Sequence, residues 1–149
     1  MNGPIVFTNG VFDCFHEGHK TLLNAAASRA MVHGLLIVAV NSDASVKRLK
    51  GDARPVHTCA TRMANVREFL KYLSIVPLRY CVVEFDADTP EELIISVRPN
   101  ILIKGSDSPR PLAGEEFMSR YGGSINIVPR LPGYSTTGII NEGKHDSGS

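Results

Sequence analysis

Short apolar runs alternate with segments of helical periodicity along the chain. Ile5-Val6-Phe7 reads as a brief first strand. The stretch from Gly18 to His33 reads as a helix whose apolar face is Leu22, Leu23, Ala26 and Ala30, spaced three or four apart. Gly34 falls where a helix end calls for a left-handed residue. Leu35 to Val40 is apolar throughout, the pattern of a strand covered on both faces. Asn41-Ser42-Asp43 offers caps for a short helix through Leu49, and Gly51 to Pro55 is a basic, turn-rich loop. Met63, Val66, Phe69, Leu70 and Leu73 mark the next amphipathic helix, and Cys81-Val82-Val83 the third strand. Thr89-Pro90-Glu91-Glu92 has the form of a capping box with proline at the first helical position, opening a helix to about Val97. Ile101-Leu102-Ile103 is the fourth strand, Gly114 to Tyr121 a helix stopped by Gly122-Gly123, and Ile125 to Val128 the fifth strand. A last short helix is expected after Ser135.

Five strands interleaved with helices predict a doubly wound α/β domain around a mostly parallel five-stranded sheet. The 149 residues suit one domain, expected over residues 1–142 with 143–149 as a disordered tail. In such sheets ligands sit beyond the carboxyl ends of the strands, where the strand order reverses. Chemistry is therefore expected in the loops after the first, fourth and fifth strands.

Composition narrows the classes. Lys plus Arg total 16 against 15 acids, for a net charge of +1, which argues against a general nucleic-acid surface. Phosphate binding must then come from locally concentrated donors. Cys14, Cys59 and Cys81 form no CxxC pair and read as free thiols of a reducing compartment. No apolar run is long enough for a membrane span and no secretory leader is visible, so a cytoplasmic location is expected.

The first loop, Thr8 to His19, carries the most chemistry. His16 and His19 stand three apart at the entry to a helix and can face the same way. Gly18 between them admits close approach of a ligand to the backbone. The helix N-terminus adds free N–H donors and a positive dipole end, a seat for phosphate. Two other readings compete: satisfied structural histidines, or a zinc site of Cys14, His16 and His19. Lys47-Arg48-Leu49-Lys50 with Arg54 reads either as a solvated helix end or as phosphate-gripping cations. In Lys104-Gly105-Ser106-Asp107, the glycine permits close approach of a base or ribose and Asp107 could accept ribose hydroxyls. Arg130, Gly133 and Ser135-Thr136-Thr137 combine a fork-shaped donor, a turn and three hydroxyls at a helix start.

Taken together, "TNGVFDCFHEGH", "VAVNSDASVKRLKG", "RPV", "DTPEELI", "ILIKGSD" and "STTGII" resemble the cytidylyltransferase family of HxGH-type nucleotidyltransferases over about Ile5 to Asn141. The strongest similarity is to the adenylyltransferase domains of bifunctional ADP-heptose synthases. The resemblance implies a Rossmann-like nucleotidyltransferase fold. It also implies transfer of a nucleoside monophosphate from ATP or CTP to a small phosphorylated sugar or polyol, with release of pyrophosphate. Mg²⁺ would travel on the triphosphate, with no metal held by the protein itself, and a homodimer is expected. Carried over by residue, His16 and His19 would stabilise the transition state, and Lys47 or Lys50, with Arg130, would hold phosphates. Asn9, Gly10, Val11, Phe12 and Gly18 would line the nucleotide pocket. Lys104, Gly105 and Asp107 would approach base and ribose, and Ser135, Thr136 and Thr137 would bind the β- and γ-phosphates. Asp13 and Arg62 would meet the acceptor.

Two departures bear on the substrate. Ser108 stands where the heptose enzymes tend to carry an aromatic residue. Arg130, Gly133 and Ser135-Thr136-Thr137 come closer to the glycerol-3-phosphate cytidylyltransferase pattern. The readings carried forward are transfer to a D-glycero-heptose 1-phosphate, cytidylyl transfer to glycerol 3-phosphate, and a non-catalytic nucleotide-binding module.

Overall fold

A computed structural model of the chain describes residues 3–31, 33–73 and 77–129. Within them lie five strands, β1 (Ile5–Gly10), β2 (Leu35–Asn41), β3 (Tyr80–Phe85), β4 (Ile101–Gly105) and β5 (Ser124–Val128). The helices are α1 (Glu17–Ala30), α2 (Asp43–Lys50), α3 (Cys59–Leu73), α4 (Glu91–Val97) and α5 (Glu115–Ser119). The strands form one parallel sheet in the order β3-β2-β1-β4-β5. The chain winds outward from β1 in one direction and then, from β4, in the other. The reversal falls between β1 and β4, and the doubly wound expectation holds.

The two-residue alternation of the strands divides the core into two layers. Val6, Leu36, Val38, Val40, Ile101 and Ile103 face α1 and α3, meeting Leu22, Leu23, Val66 and Leu70. Phe7, Ile37, Ala39 and Leu102 face the other way, toward Ile94 of α4 and Met118 of α5. Both faces of the central strands are thus covered, as the unbroken apolar run of β2 requires.

Several boundaries differ from the sequence expectation for identifiable reasons. β1 continues past Phe7 through Thr8, Asn9 and Gly10, in register with Val38, Ala39 and Val40. Thr8 is tolerated at 0% exposure because its hydroxyl donates to the Ile103 carbonyl at 2.7 Å. The left-handed residue after α1 is His33, at φ +70°, and not Gly34. Gly34 is required by crowding instead, since a Cβ there would lie 2.4 Å from the Ala30 oxygen and 2.7 Å from the Pro4 oxygen. Thr89 and Glu92 do not form the expected capping box: Pro90 occupies the N-cap, and the Thr89 hydroxyl accepts from the Glu91 amide at 3.3 Å. Glu91, the residue before Glu92, accepts from the Gly114 amide at 2.6 Å and ties the start of α4 to that of α5. The helix after Ser135 and the tail lie outside the described residues. No helix among the described residues is long and apolar enough to cross a membrane.

Candidate functional site

Parallel strands deliver the ends of β1 and β4 side by side at the point of reversal. Lys104, the penultimate residue of β4, reaches across and donates to the Asn9 carbonyl at 3.2 Å and to Asn9 Oδ1 at 3.3 Å. Packing between the strand ends strips water from this ammonium and lowers its pKa to about 8, while the nearby Asp107 carboxylate partly opposes the shift. One step on, a Cβ at Gly105 would lie 3.3 Å from Asp107 Oδ1, a tight contact with the tip of that side chain. Asn9, Lys104 and Asp107 share the wall of a cavity of about 330 Å³. That volume is in the range of small-molecule sites.

Of the rest of this wall, the sequence marks only Ser108 as bearing on the substrate. Asp88, Thr89 and Pro90, from the turn before α4, close one side, and Ser108 with Leu112 and Ala113 close another. The Thr-Pro-Glu-Glu signal suggested only a helix start, and nothing local marks a turn after the edge strand β3 as reaching β1 and β4. Arg48 of the basic stretch supports this wall, with Nε donating to Asp88 Oδ1 at 2.9 Å and a terminal nitrogen to the Asp86 carbonyl.

The histidines stand at the same sheet edge on the α1 side. Their arrangement is a reciprocal cap built from imidazoles. His16 is the N-cap of α1, and its Nδ1 accepts from the Gly18 amide at 3.0 Å. The His16 amide in turn donates to His19 Nδ1 at 3.1 Å. The two rings stack with centroids 3.9 Å apart, and Phe15 stacks on His19 at 5.5 Å. With each Nδ1 accepting from the backbone, a neutral ring carries its proton on Nε2; His16 is half-buried, whereas His19 is buried at 1% exposure with its Nε2 shut off from solvent. Two adjacent N–H donors at a helix N-terminus suit an anion whose charge grows during reaction.

The flanking residues occupy different places. Val11 and Phe12 are buried, and Gly10 ends β1 opposite Val40. Asp13, expected to meet the acceptor, is buried and accepts from the Val56 amide at 2.6 Å and the His57 amide at 2.9 Å. Arg62, also expected there, has 0% exposure. Its guanidinium donates to the carbonyls of His57 (2.9 Å), Val11 (2.8 Å) and Asn41 (2.9 Å) and to Asp43 Oδ1 (2.8 Å). With their polar atoms so engaged, Asp13 and Arg62 brace the loops in this structure rather than line the crevice. Lys47 and Lys50 lie in the last turn of α2, where Lys47 Nζ is 3.5 Å from the Arg54 carbonyl. Arg130, Ser135, Thr136 and Thr137 lie outside the described residues. As for the zinc expectation, Cys14 clusters with Asp13 and His57, not with His16 and His19.

Comparison with known proteins identifies relatives of the chain. A family model described as cytidylyltransferase-like matches residues 7–142. The bifunctional protein HldE of Proteus mirabilis is 46% identical over 138 residues, which are 92% of this chain and 27% of that protein. That of Hydrogenovibrio crunogenus is 44% identical over 139 residues, 93% of this chain and 27% of its own length. The chain thus spans about a quarter of the length of these curated relatives. Among solved structures, a lipopolysaccharide core biosynthesis protein from Thermoplasma volcanium superposes with TM-score 0.59 at 24% identity, covering 86% of this chain and 96% of that one. At that identity the likeness speaks for the fold. With the family model spanning nearly all of it, the chain belongs to the cytidylyltransferase-like family of nucleotidyltransferases.

Proposed function

We propose that the chain transfers a nucleoside monophosphate, from ATP or CTP, to the phosphate of a D-glycero-heptose 1-phosphate, releasing pyrophosphate. The observation that carries this reading is the pair of Nδ1-tethered imidazoles at the start of α1, beside the crevice of Asn9, Lys104 and Asp107. The sugar-phosphate acceptor rests on the similarity to the HldE proteins.

In this mechanism an acceptor phosphate oxygen attacks the α-phosphorus as the bond to the bridging α,β-oxygen breaks, and pyrophosphate leaves with that electron pair. Charge on the non-bridging oxygens meets the Nε2–H groups of His16 and His19 and the amides at the start of α1. The Lys104 ammonium and the Asp107 carboxylate face the nucleoside end. Lys47 and Lys50 supply positive charge from α2, and the family resemblance assigns phosphate contacts to Arg130, Ser135, Thr136 and Thr137. Mg²⁺ enters bound to the triphosphate, as part of that substrate.

A pyrophosphate-release assay crossing ATP and CTP with heptose 1-phosphate and glycerol 3-phosphate tests the reading. Release is expected with the heptose phosphate and ATP or CTP. Release confined to CTP and glycerol 3-phosphate would reassign the substrates, and no release from any pair would return the chain to a nucleotide-binding module.

A further inference from the structure

Outside the proposed transfer machinery, one cluster brings three different ligand types together. One ligand atom each from Asp13, Cys14 and His57 lies within 4.8 Å of the others. The Asp13 carboxylate is held in place by the Val56 and His57 amides at 2.6 and 2.9 Å. His57 Nδ1 stands 3.6 Å from Asp13 Oδ1, on a ring that is 46% exposed and can adjust. On the other side, the non-glycine residues Phe12 and Cys14 both adopt positive φ, +56° and +51°. Such backbone is costly for L-residues and is held only where surrounding structure demands it.

We propose that Asp13, Cys14 and His57 bind one divalent transition metal ion, with Zn²⁺ the best match, leaving a fourth position for water. A carboxylate, a thiolate and an imidazole form the borderline-soft donor set that suits tetrahedral zinc. Donor atoms around zinc lie roughly 3–4 Å apart, given metal–ligand distances of about 2.0–2.3 Å. The Asp13–His57 separation of 3.6 Å already falls in that range, and the 46% exposed His57 ring has room to move as the ion binds. The two amides on Asp13 act as the outer hydrogen bonds that orient a ligating carboxylate. On binding, the Cys14 thiol gives its proton to solvent as the Zn–S bond forms, while Asp13 binds as carboxylate and His57 as neutral imidazole. The ion would pin the Val56–Thr58 segment to the turn that leads into His16. The site is separate from the two stacked histidines, whose Nδ1 atoms are used by the backbone.

The test is a Co²⁺ titration of the purified full chain. Saturation at one equivalent is expected, with a thiolate-to-cobalt charge-transfer band that Zn²⁺ removes. Cys14→Ser should abolish the band, and His57→Ala should weaken Zn²⁺ affinity at least ~10-fold, the lower end of what loss of an outer-shell partner costs. Cys59→Ser and Cys81→Ser should behave as wild type. A His57→Gln variant, checked by its circular-dichroism melt, replaces His57→Ala if that protein does not fold. A band that survives in Cys14→Ser, an unchanged affinity in the folded His57 variant, or no one-equivalent binding by the wild type would each overturn the proposal.

Discussion

His16 and His19 fasten the start of α1 through one edge of each ring, and the proposed transfer assigns the opposite edge to the reacting phosphate. Each Nδ1 accepts from a backbone amide of the first turn, which sets the tautomer and puts the proton on Nε2, in the half-buried His16 and the buried His19. Nitrogen-15 NMR of the neutral protein should therefore find the Nε2–H form at both rings. His16→Ala is expected to lower turnover by ~10²–10³, the usual loss for one preorganised donor. His16→Asn separates the two roles. Asparagine is a strong N-cap, so melting should be nearly unchanged while turnover still falls; normal turnover in either variant would show His16 to be only a cap. Lys104 carries a pH prediction. Its folded pKa of about 8 lies below the ordinary 10.5, so the folded state loses its proton first. The residue's unfavourable contribution to stability is full below about pH 8 and is relieved as pH rises from about 8 toward 10.5. Nucleotide affinity should move the other way, weakening as the free enzyme passes about pH 8, because the ammonium at the crevice is lost. Calorimetric titration with a non-hydrolysable triphosphate between neutral and alkaline pH reads this directly. A pH profile shared by Lys104→Met would place the effect elsewhere.

At the scale of elements, tertiary contacts shape helix starts beyond what local signals announce. The Thr89-Pro90-Glu91-Glu92 segment has capping-box composition, yet Glu91 bonds the Gly114 amide and so joins the start of α4 to that of α5. Gly114 adopts φ +80°, and a Cβ on it would lie 2.7 Å from Ile94 Cγ2 in the core. Gly114→Ala therefore combines left-handed strain with overpacking and should destabilise by about 2–3 kcal/mol. A shift of the urea midpoint with unchanged slope would register it. Gly122, also at positive φ with open space around it, should tolerate alanine better, losing only the conformational term of about 1 kcal/mol.

Across the whole molecule, Arg62 is the tie between parts far apart in sequence. One guanidinium joins the turn after β1 through Val11, the end of β2 through Asn41, α2 through Asp43, and the loop before α3 through His57. Removing it leaves these buried carbonyls without their donor, and Arg62→Ala should cost about 3–5 kcal/mol. Arg62→Lys should recover little, since an ammonium cannot span four acceptors set around a planar fork. Chemical denaturation of both variants measures this, and a loss below about 1 kcal/mol would mean the loops hold themselves.

The strands, their parallel packing and the three loops worth searching were legible in the sequence, because apolar run length and helical spacing are local properties that survive folding. So was the helix start at His16-Glu17-Gly18-His19, since a helix N-terminus is built within one turn. Residue 34 needed glycine for reasons that composition could not distinguish, because crowding by Ala30 and Pro4 exists only once helix and strand have met. The same holds for Arg62, which resembles a phosphate ligand in sequence and is buried as a brace in the structure. Asp88 to Pro90 reach the crevice only because the sheet reverses between β1 and β4. Residue types and their spacing thus determined the elements and the kind of chemistry. Tertiary structure alone decided which polar groups are consumed in holding the loops and which remain for a ligand, because the partners that consume them come from distant parts of the chain.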